Sequence, residues 1–315
     1  MEHQEKKKSH KTGTIFDIKR FATHDGSGLR TTIFFKGCPL RCVWCQNPEG
    51  LEKEPAPVYF ANKCIGCGTC LKICTNEGMT AEKSGIQIHK DRKEDWETII
   101  YNCPAKAVAM DARVCTVEEL IREVQKDRVF YRRGSGGVTL SGGEPLMQAE
   151  FAAELLAALK ELGIHTAIET SLSASLETLK KVLPYLDQIY ADMKLADARE
   201  HMACTGNTNQ HIRENMEYLL TSPGWNRVIV RTPLIPSYTA TSRNLAAIAK
   251  FLSGICPEVH YELLNYNPLA EAKYYLVGKK YCFEENPKLY TREQMRKFGT
   301  IVREHGIRNL IMEIE

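Results

Sequence analysis

Apolar and polar positions along the chain repeat with two different periods. Short apolar runs predict strands over 138–140, 165–169, 188–194, 227–235, 260–264 and 309–314. Between them, positions of helical period predict helices over 151–162, 176–183, 211–221, 243–252 and 291–304. Strands that alternate with such helices indicate βα units and a parallel sheet. The fold class is therefore α/β, and the repeats fit an open doubly wound sheet, a full barrel or a partial barrel.

The first part of the chain has a different organisation. Residues 1–12 are polar and are predicted to be a disordered tail, and alternation over 13–22 and an apolar run over 31–35 predict two further strands. The segment 58–111 has few periodic positions and many Cys, Gly and Lys residues, which indicates a small inserted domain. A capping box at Thr116 and Glu119 then predicts a helix to about residue 129. The main domain would comprise 13–57 and 112–315.

The charge of the chain does not indicate a nucleic acid or a membrane as its partner. The 42 basic and 39 acidic residues give a net charge of +3, so the sequence does not indicate nucleic acid or an anionic membrane as a partner. The sequence shows neither a secretory signal nor a membrane-spanning stretch. We therefore expect a cytoplasmic protein, and a monomer. Disulfides are disfavoured in the cytoplasm, so the 12 cysteines of the chain point to metal or iron–sulfur ligation.

Three of these cysteines form a tight group after the strand predicted over 31–35. Cys38, Cys42 and Cys45 follow the spacing Cys-x3-Cys-x2-Cys and lie at the carboxyl end of that strand. Three thiolates leave one position of a four-coordinate site open, and open positions are where metal sites perform chemistry. The group therefore predicts a reactive cluster or metal centre.

A second group has the spacing of bacterial ferredoxins. It comprises Cys64, Cys67, Cys70 and Cys74, in the order Cys-x2-Cys-x2-Cys-x3-Cys. In two-cluster ferredoxins the fourth Cys of one run ligates the other cluster. A second run would end at Cys103, but its other three positions are Lys93, Trp96 and Ile99, which cannot act as thiolate ligands.

One auxiliary cluster therefore remains in this interpretation. The ligation rule favours Cys103 over Cys74 as its fourth ligand, although Cys103 could also be a buried apolar residue. A zinc knuckle is the less favoured reading of the same spacing.

Further polar residues follow the predicted strands at their carboxyl ends, where α/β folds place their active sites. They are Gly142, Gly143, Glu144, Glu169, Thr170, Asp192, Lys194 and Arg231. The glycines allow close approach of a ligand, and Glu144 could accept a hydrogen bond from an amine. The acids and the lysine could bind a ribose, a carboxylate or a cation, or form a structural ion pair. Arg231 lies on an apolar strand and needs an anionic partner.

Together these residues resemble a known superfamily. Cys38, Cys42, Trp44 and Cys45 match the radical S-adenosylmethionine signature, and Gly142-Gly-Glu144-Pro145 matches its Gly-Gly-Glu element. The segment from Asp25 to Thr31 and the cysteine-rich insert are similar to those of the activating enzymes of glycyl radical enzymes. The likeness extends over about residues 13–314.

The resemblance implies a partial (β/α)6 barrel in which the three thiolates hold a [4Fe–4S] cluster. The open iron would take S-adenosylmethionine, whose reductive cleavage gives a 5′-deoxyadenosyl radical. That radical removes a hydrogen atom from a backbone glycine of a partner glycyl radical enzyme. Flavodoxin or ferredoxin would donate the electron, and the insert would hold the auxiliary [4Fe–4S] cluster.

The resemblance also assigns roles to single residues. Glu144 and its glycines would hold the methionine amino group, Asp192 and Lys194 would lie near its carboxylate, and Arg231 would lie near substrate and cofactor. Asp25 would lie near the glycyl peptide. In pyruvate formate-lyase activating enzyme, acids at the positions of Glu169 and Asp192, with Thr170 and the Met193 carbonyl, form a monovalent cation site.

Three departures from the family pattern accompany this likeness. Ser27 replaces a proline, Glu169 stands where that enzyme has aspartate, and Asn267 replaces a histidine that contacts the cofactor. Asn267 retains hydrogen-bonding capacity and is the predicted substitute. Three alternative functions remain: radical chemistry on a small molecule or another protein, an electron-transfer module, and a zinc-binding structural protein.

Overall fold

The computed structural model describes residues 11–23, 25–82, 85–131 and 136–312 of the chain. Its strands are β1 (Thr12–Ala22), β2 (Arg30–Phe35), β3 (Pro57–Tyr59), β4 (Met79–Glu82), β5 (Gly85–Ile88), β6 (Val108–Met110), β7 (Arg113–Thr116), β8 (Gly137–Gly142), β9 (His165–Thr170), β10 (Gln188–Asp192), β11 (Val228–Pro233), β12 (His260–Leu264) and β13 (Asn309–Met312). Its helices are α1 (Thr69–Ile73), α2 (Trp96–Tyr101), α3 (Val117–Gln125), α4 (Arg128–Tyr131), α5 (Ala149–Glu161), α6 (Leu176–Val182), α7 (Ala198–Thr205), α8 (Gln210–Thr221), α9 (Ser242–Ile255), α10 (Ala270–Leu276) and α11 (Arg292–Glu304).

One large sheet organises the chain in the order β13-β12-β11-β10-β9-β8-β2-β1-β7. From β2 to β13 in this order, neighbouring strands pair in parallel, whereas β1 and β7 pair antiparallel at one edge. The sheet does not close on itself among the described residues, since β13 and β7 are its two ends. This confirms the α/β class and the partial barrel among the three arrangements that the sequence allowed.

Alternating side chains of the parallel strands face opposite sides of the sheet. Apolar residues of one side, such as Ile33, Leu140 and Ile168, are fully buried and pack with the helices in the main core. The other side carries Thr139, Glu169 and Arg231, so the concave surface of the barrel is polar. The same strands therefore bury a helix-covered core and present hydrogen-bonding groups to the barrel interior.

Several predicted boundaries hold. Capping boxes at Thr116 and Thr291 begin α3 and α11, as their sequences indicate. The predicted helix to residue 129 is instead two helices, α3 and α4, with a break between Gln125 and Arg128. The predicted tail 1–12 lies mostly outside the described residues, but β1 already begins at Thr12 because it pairs there with Thr116 of β7. No helix in the described ranges is long and apolar enough to cross a bilayer.

Residues 57–110 form their own small sheets, β3 with β6 and β4 with β5. They also have a separate apolar core around Met79, Ile99 and Val108. The predicted division into a barrel and an insert at 58–111 remains an interpretation of these features. In this interpretation, the insert has an apolar core of its own, which is smaller than the core of the barrel.

The two ends of this segment meet beside the first cysteine group. Ala56 donates its backbone N–H to Asp111 Oδ1 over 2.8 Å and accepts the N–H of Asp111 over 2.8 Å. Lys36 Nζ lies 2.8 Å from Asp111 Oδ2, and its side chain is only 1% exposed. Lys36 directly follows β2, so this buried ion pair fixes the base of residues 57–110 to the strand that leads into Cys38.

Candidate active site

A cavity of about 220 Å³ opens at the carboxyl ends of β2, β8, β9, β10 and β11. It is lined by Cys38, Leu40, Cys42, Trp44, Cys45, Gln46, Asn47, Ser141, Gly142, Gly143, Glu169, Thr170, Ser171, Asp192, Lys194, Arg231, Pro233 and Leu264. Most of the residues singled out from the sequence thus meet in one place. This follows from the parallel sheet, whose strands all end at the same edge.

The three thiols of this cavity lie on a loop held by backbone hydrogen bonds. The N–H of Gly37 donates to Gly50 O over 2.8 Å, and the N–H of Val43 donates to Cys204 O over 3.0 Å. Trp44 is 2% exposed and packs against Tyr238 with ring centroids 5.1 Å apart. The loop that carries the cysteines is therefore fixed by contacts outside the cavity, which leaves the thiols free to face it.

Burial governs the electrostatics of these thiols. It raises the pKa of Cys42 to about 12 and raises the pKa values of Cys38 and Cys45 as well. Such groups carry protons until a cation replaces them, because a thiolate is costly away from water. Binding a metal cluster here would release protons, and the bound iron would stabilise the thiolates.

Gly142 and Gly143 are required by the packing of the cavity wall. A Cβ on Gly142 would lie 2.4 Å from Phe35 N, and Gly142 has a φ of +116°. A Cβ on Gly143 would lie 2.4 Å from Gly37 O and 2.5 Å from Gly50 O. These glycines therefore bring the β8 turn against the cysteine loop, which places its backbone at the cavity without side chains in between.

Glu144 does not face the cavity. Its side chain is 0% exposed and accepts hydrogen bonds from the Thr170 hydroxyl (2.7 Å), the Ser171 N–H (2.7 Å) and hydroxyl (2.6 Å), and the Leu146 N–H (3.1 Å). All of these donors belong to the protein, and the expectation that Glu144 binds an amine stays a prediction. Its carboxylate joins the turn after β8 to the turn after β9 and supports the cavity wall from behind.

Two ion pairs line the far wall of the cavity. Lys194 Nζ lies 2.5 Å from Asp192 Oδ2, and Arg231 Nη1 lies 2.7 Å from Glu169 Oε1. Burial alone would lower the pKa values of both cations, but the adjacent carboxylates outweigh it and raise them. Glu169 also accepts the Ser141 hydroxyl over 2.5 Å. The wall thus combines fixed positive and negative groups, which suits a ligand that carries both an ammonium and a carboxylate.

The other oxygens of the predicted cation site are engaged by the protein. The Met193 carbonyl accepts the Thr232 hydroxyl over 2.6 Å, and the Thr170 hydroxyl donates to Glu144 over 2.7 Å. A monovalent cation would have to share these oxygens with donors already in place.

Two predicted residues lie outside the cavity. Asn267 is exposed, and its side-chain oxygen accepts the N–H of Leu269 over 3.0 Å; its contact with a cofactor stays a prediction. Asp25 accepts the Thr32 hydroxyl over 2.6 Å, and its carbonyl accepts the Thr139 hydroxyl over 2.8 Å. Thr32 and Thr139 are paired with each other in the middle of β2 and β8, so Asp25 is held at the barrel interior.

Sequence reasoning missed some residues of the cavity. Asn47, Ser141, Ser171 and Leu264 line it without having been assigned a role. Ser141 and Leu264 lie at the carboxyl ends of β8 and β12, so their positions at strand ends were a usable signal. Asn47 and Ser171 lie in turns, where side-chain direction depends on backbone geometry that the sequence does not reveal.

A second cavity, of about 250 Å³, lies in the insert. Its lining includes Cys64, Cys67, Cys70 and Cys103, but Cys74 is not part of it. The Cys103 sulfur accepts the N–H of Ala107 over 3.2 Å, as the Cys64 sulfur accepts that of Gly66 over 3.4 Å. The geometry therefore groups Cys103 with the first three cysteines of the ferredoxin-type run.

Within the described residues, no three His, Cys, Asp or Glu side chains converge as the ligands of a single metal ion would. We therefore group the cysteines by the cavity that they line: Cys38, Cys42 and Cys45 in the first, and Cys64, Cys67, Cys70 and Cys103 in the second. In both cavities the donor set is thiol, which is the chemistry that iron–sulfur clusters require.

Comparison with known proteins gives a consistent set of relatives. A model of the Radical SAM superfamily matches residues 32–247. The chain is 34% identical over 310 residues to the indoleacetate decarboxylase activating enzyme of Tractidigestivibacter scatoligenes, covering 94% of this chain and 96% of that protein. It is 37% identical over 274 residues to the isethionate sulfite-lyase activating enzyme of Oleidesulfovibrio alaskensis, covering 85% and 88%.

A solved structure shares the fold. Streptococcus suis SuiB, bound to the precursor peptide SuiA, has a TM-score of 0.50 and 12% sequence identity, and the match covers 88% of this chain and 46% of that chain. At this identity the likeness concerns the fold alone.

Proposed function

The chain belongs to the radical S-adenosylmethionine superfamily and, within it, to the activating enzymes of glycyl radical enzymes, and we propose which residues carry out each part of that activity. The protein is an enzyme that activates a partner glycyl radical enzyme. The observation that carries the proposal is the single cavity in which Cys38, Cys42 and Cys45 face the paired charges of β10 and β11.

Cys38, Cys42 and Cys45 would hold a [4Fe–4S] cluster whose fourth iron binds S-adenosylmethionine. When bound, such a cluster would supply the electron for reductive cleavage of S-adenosylmethionine, whose 5′-deoxyadenosyl group would take the hydrogen atom from the partner's glycine. Lys194 and Arg231 would attract the methionine carboxylate. The backbone of Gly142 and Gly143 would accept the amino group.

Glu169 and Asp192 have a further role in this proposal. Paired with Arg231 and Lys194, they hold those cations in fixed orientations and can accept hydrogen bonds from ribose hydroxyls. A monovalent cation at these acids could use Oδ1 of Asp192, since Lys194 contacts Oδ2. Both oxygens of Glu169, by contrast, already accept hydrogen bonds, from Arg231 and Ser141. Asp25, inside the barrel, would contact the glycyl peptide of the partner.

The function is tested with the protein and a candidate partner of the glycyl radical class. After anaerobic reconstitution and reduction by flavodoxin, ferredoxin or dithionite, we expect 5′-deoxyadenosine and an electron paramagnetic resonance signal of a glycyl radical. Formation of 5′-deoxyadenosine without a radical on any partner tested would favour a small-molecule or other protein substrate. An electron-transfer module would produce neither.

For the insert we propose one auxiliary [4Fe–4S] cluster held by Cys64, Cys67, Cys70 and Cys103. Their shared cavity supports this set, and Cys74 lies outside it. This cluster would receive electrons from flavodoxin or ferredoxin. We propose that the protein acts in the cytoplasm as a monomer.

The fourth ligand is tested by paired alanine variants. Cys103→Ala is expected to lower the iron content from about eight to about four per chain, because one of two clusters loses a ligand. Cys74→Ala is expected to keep the iron content of the parent protein. The reverse pattern would make Cys74 the ligand and Cys103 a packing residue.

A further inference from the structure

Loop 74–78 of the insert wraps around a carboxylate. Glu94 accepts the backbone N–H groups of Thr75 (3.0 Å), Asn76 (2.6 Å) and Gly78 (2.9 Å). The Thr75 hydroxyl donates to the same carboxylate over 3.1 Å. Successive backbone N–H groups that point to one centre form an anion-binding concavity, of the kind that also surrounds iron–sulfur clusters. In this chain the side chain of Glu94 is the anion.

Cys74 is part of this arrangement. Its thiol donates to Glu94 Oε1 over 2.9 Å, and its sulfur accepts the N–H of Met79 over 3.2 Å. Cys74 therefore uses both its donor and its acceptor capacity within the loop. In a ferredoxin with two clusters, this cysteine would instead ligate the second cluster.

Gly78 is fitted to Glu94. A Cβ at position 78 would lie 2.3 Å from Cγ of Glu94 and 3.1 Å from its Oε1. Any larger residue would displace the carboxylate from the N–H groups that it accepts. The loop therefore has room for the Glu94 side chain because residue 78 lacks a Cβ, and the contact is part of how this loop is folded.

Two of the three positions where a second cluster needs ligands are used for packing. Ile99 is 1% exposed in the core of the insert, and Trp96 packs against the same core. Lys93 is exposed at the surface. None of these three side chains can act as a thiolate ligand, and the remaining candidate, Cys74, contacts the carboxylate of Glu94.

We propose that Glu94 takes the place of a second auxiliary iron–sulfur cluster: its carboxylate is the anion around which loop 74–78 folds, and Cys74 remains a thiol. The loop then folds without metal, and the insert carries a single cluster. The inference rests on one part of the proposed function, namely that Cys103 completes the first auxiliary cluster.

The test compares Glu94→Gln with Glu97→Gln in the reconstituted full chain. Glu97 is an exposed glutamate on the neighbouring helix α2, so its variant controls for loss of charge in the insert. Hydrogen bonds to a charged acceptor stabilise more than those to a neutral one, so amides 75–78 of Glu94→Gln should exchange roughly tenfold faster. In Glu97→Gln their exchange should be unchanged. Both variants and the parent should hold about eight irons per chain.

Three outcomes would overturn the inference. Near twelve irons in the parent protein would mean that a second auxiliary cluster is present. Unchanged exchange in Glu94→Gln would mean that the carboxylate does not hold the loop, and loss of a cluster in Cys74→Ala would make Cys74 a ligand. None of these readouts uses cleavage of S-adenosylmethionine, so a failure of the activase function would be seen separately, as intact iron content without 5′-deoxyadenosine.

Discussion

Replacing Cys42 by alanine is expected to abolish formation of 5′-deoxyadenosine from S-adenosylmethionine under a strong reductant. Cys42 is 9% exposed and is the middle one of the three thiols that line the cavity. Cys204 and Cys282 pack beside the loop but do not line the cavity. With two thiolates the cluster site cannot keep one open iron for the substrate. The measurement is chromatographic detection of 5′-deoxyadenosine, together with iron content, which should fall to about four per chain.

Cys204→Ala provides the matched control. Cys204 packs beside the same loop without lining the cavity, and its backbone carbonyl accepts the N–H of Val43. That contact survives in the alanine variant, so cleavage activity and iron content should remain those of the parent protein. Cleavage by Cys42→Ala at the parent rate would refute the assignment of the catalytic cluster.

Replacing Glu144 by alanine is expected to lower the free energy of unfolding by at least about 4 kcal/mol. The change leaves four hydrogen-bond donors without their acceptor, all in a fully buried position, and each buried unsatisfied donor costs about 1–3 kcal/mol. The measurement is anaerobic denaturation of the reconstituted protein in urea, followed by circular dichroism.

Two further variants serve as comparisons for the unfolding of Glu144→Ala. Glu144→Gln keeps the shape and one acceptor oxygen, so it should lose less stability than the alanine variant. Glu150→Ala removes an exposed glutamate that pairs with surface lysines and should change stability by less than about 1 kcal/mol. A Glu144→Ala protein of normal stability that binds S-adenosylmethionine weakly would support the expectation that Glu144 is a direct ligand.

The sequence predicted where the functional residues meet better than it predicted how they point. Cys42, Asp192 and Arg231 follow parallel strands, and a parallel sheet brings all such positions to one edge whatever the details of the loops. The direction of Glu144 depends on Ser171, which lies 27 positions further along the chain and reaches it through the turn after β9. No local pattern encodes that contact.

Other differences have local causes. The side-chain oxygen of Asn267 accepts the backbone N–H two residues ahead, a turn that asparagine favours, and Asn267 is not among the residues that line the cavity. Helices α7 and α10 were not predicted because each is short and its apolar positions do not outline a clear face. For Cys103, the spacing rule and the cavity point to the same thiol, because ligand exchange between runs is a property of the ferredoxin pattern itself.

The junction at Ala56 and Asp111 has a consequence for the history of the chain. Because these residues are hydrogen-bonded to each other, the polypeptide leaves the barrel and returns to it at one point. Deleting residues 57–110 would require only a short turn, and Lys36 would keep its carboxylate partner at Asp111. The barrel could thus gain or lose this segment in a single genetic step, without any rearrangement of β2 or of the cysteine loop that follows it.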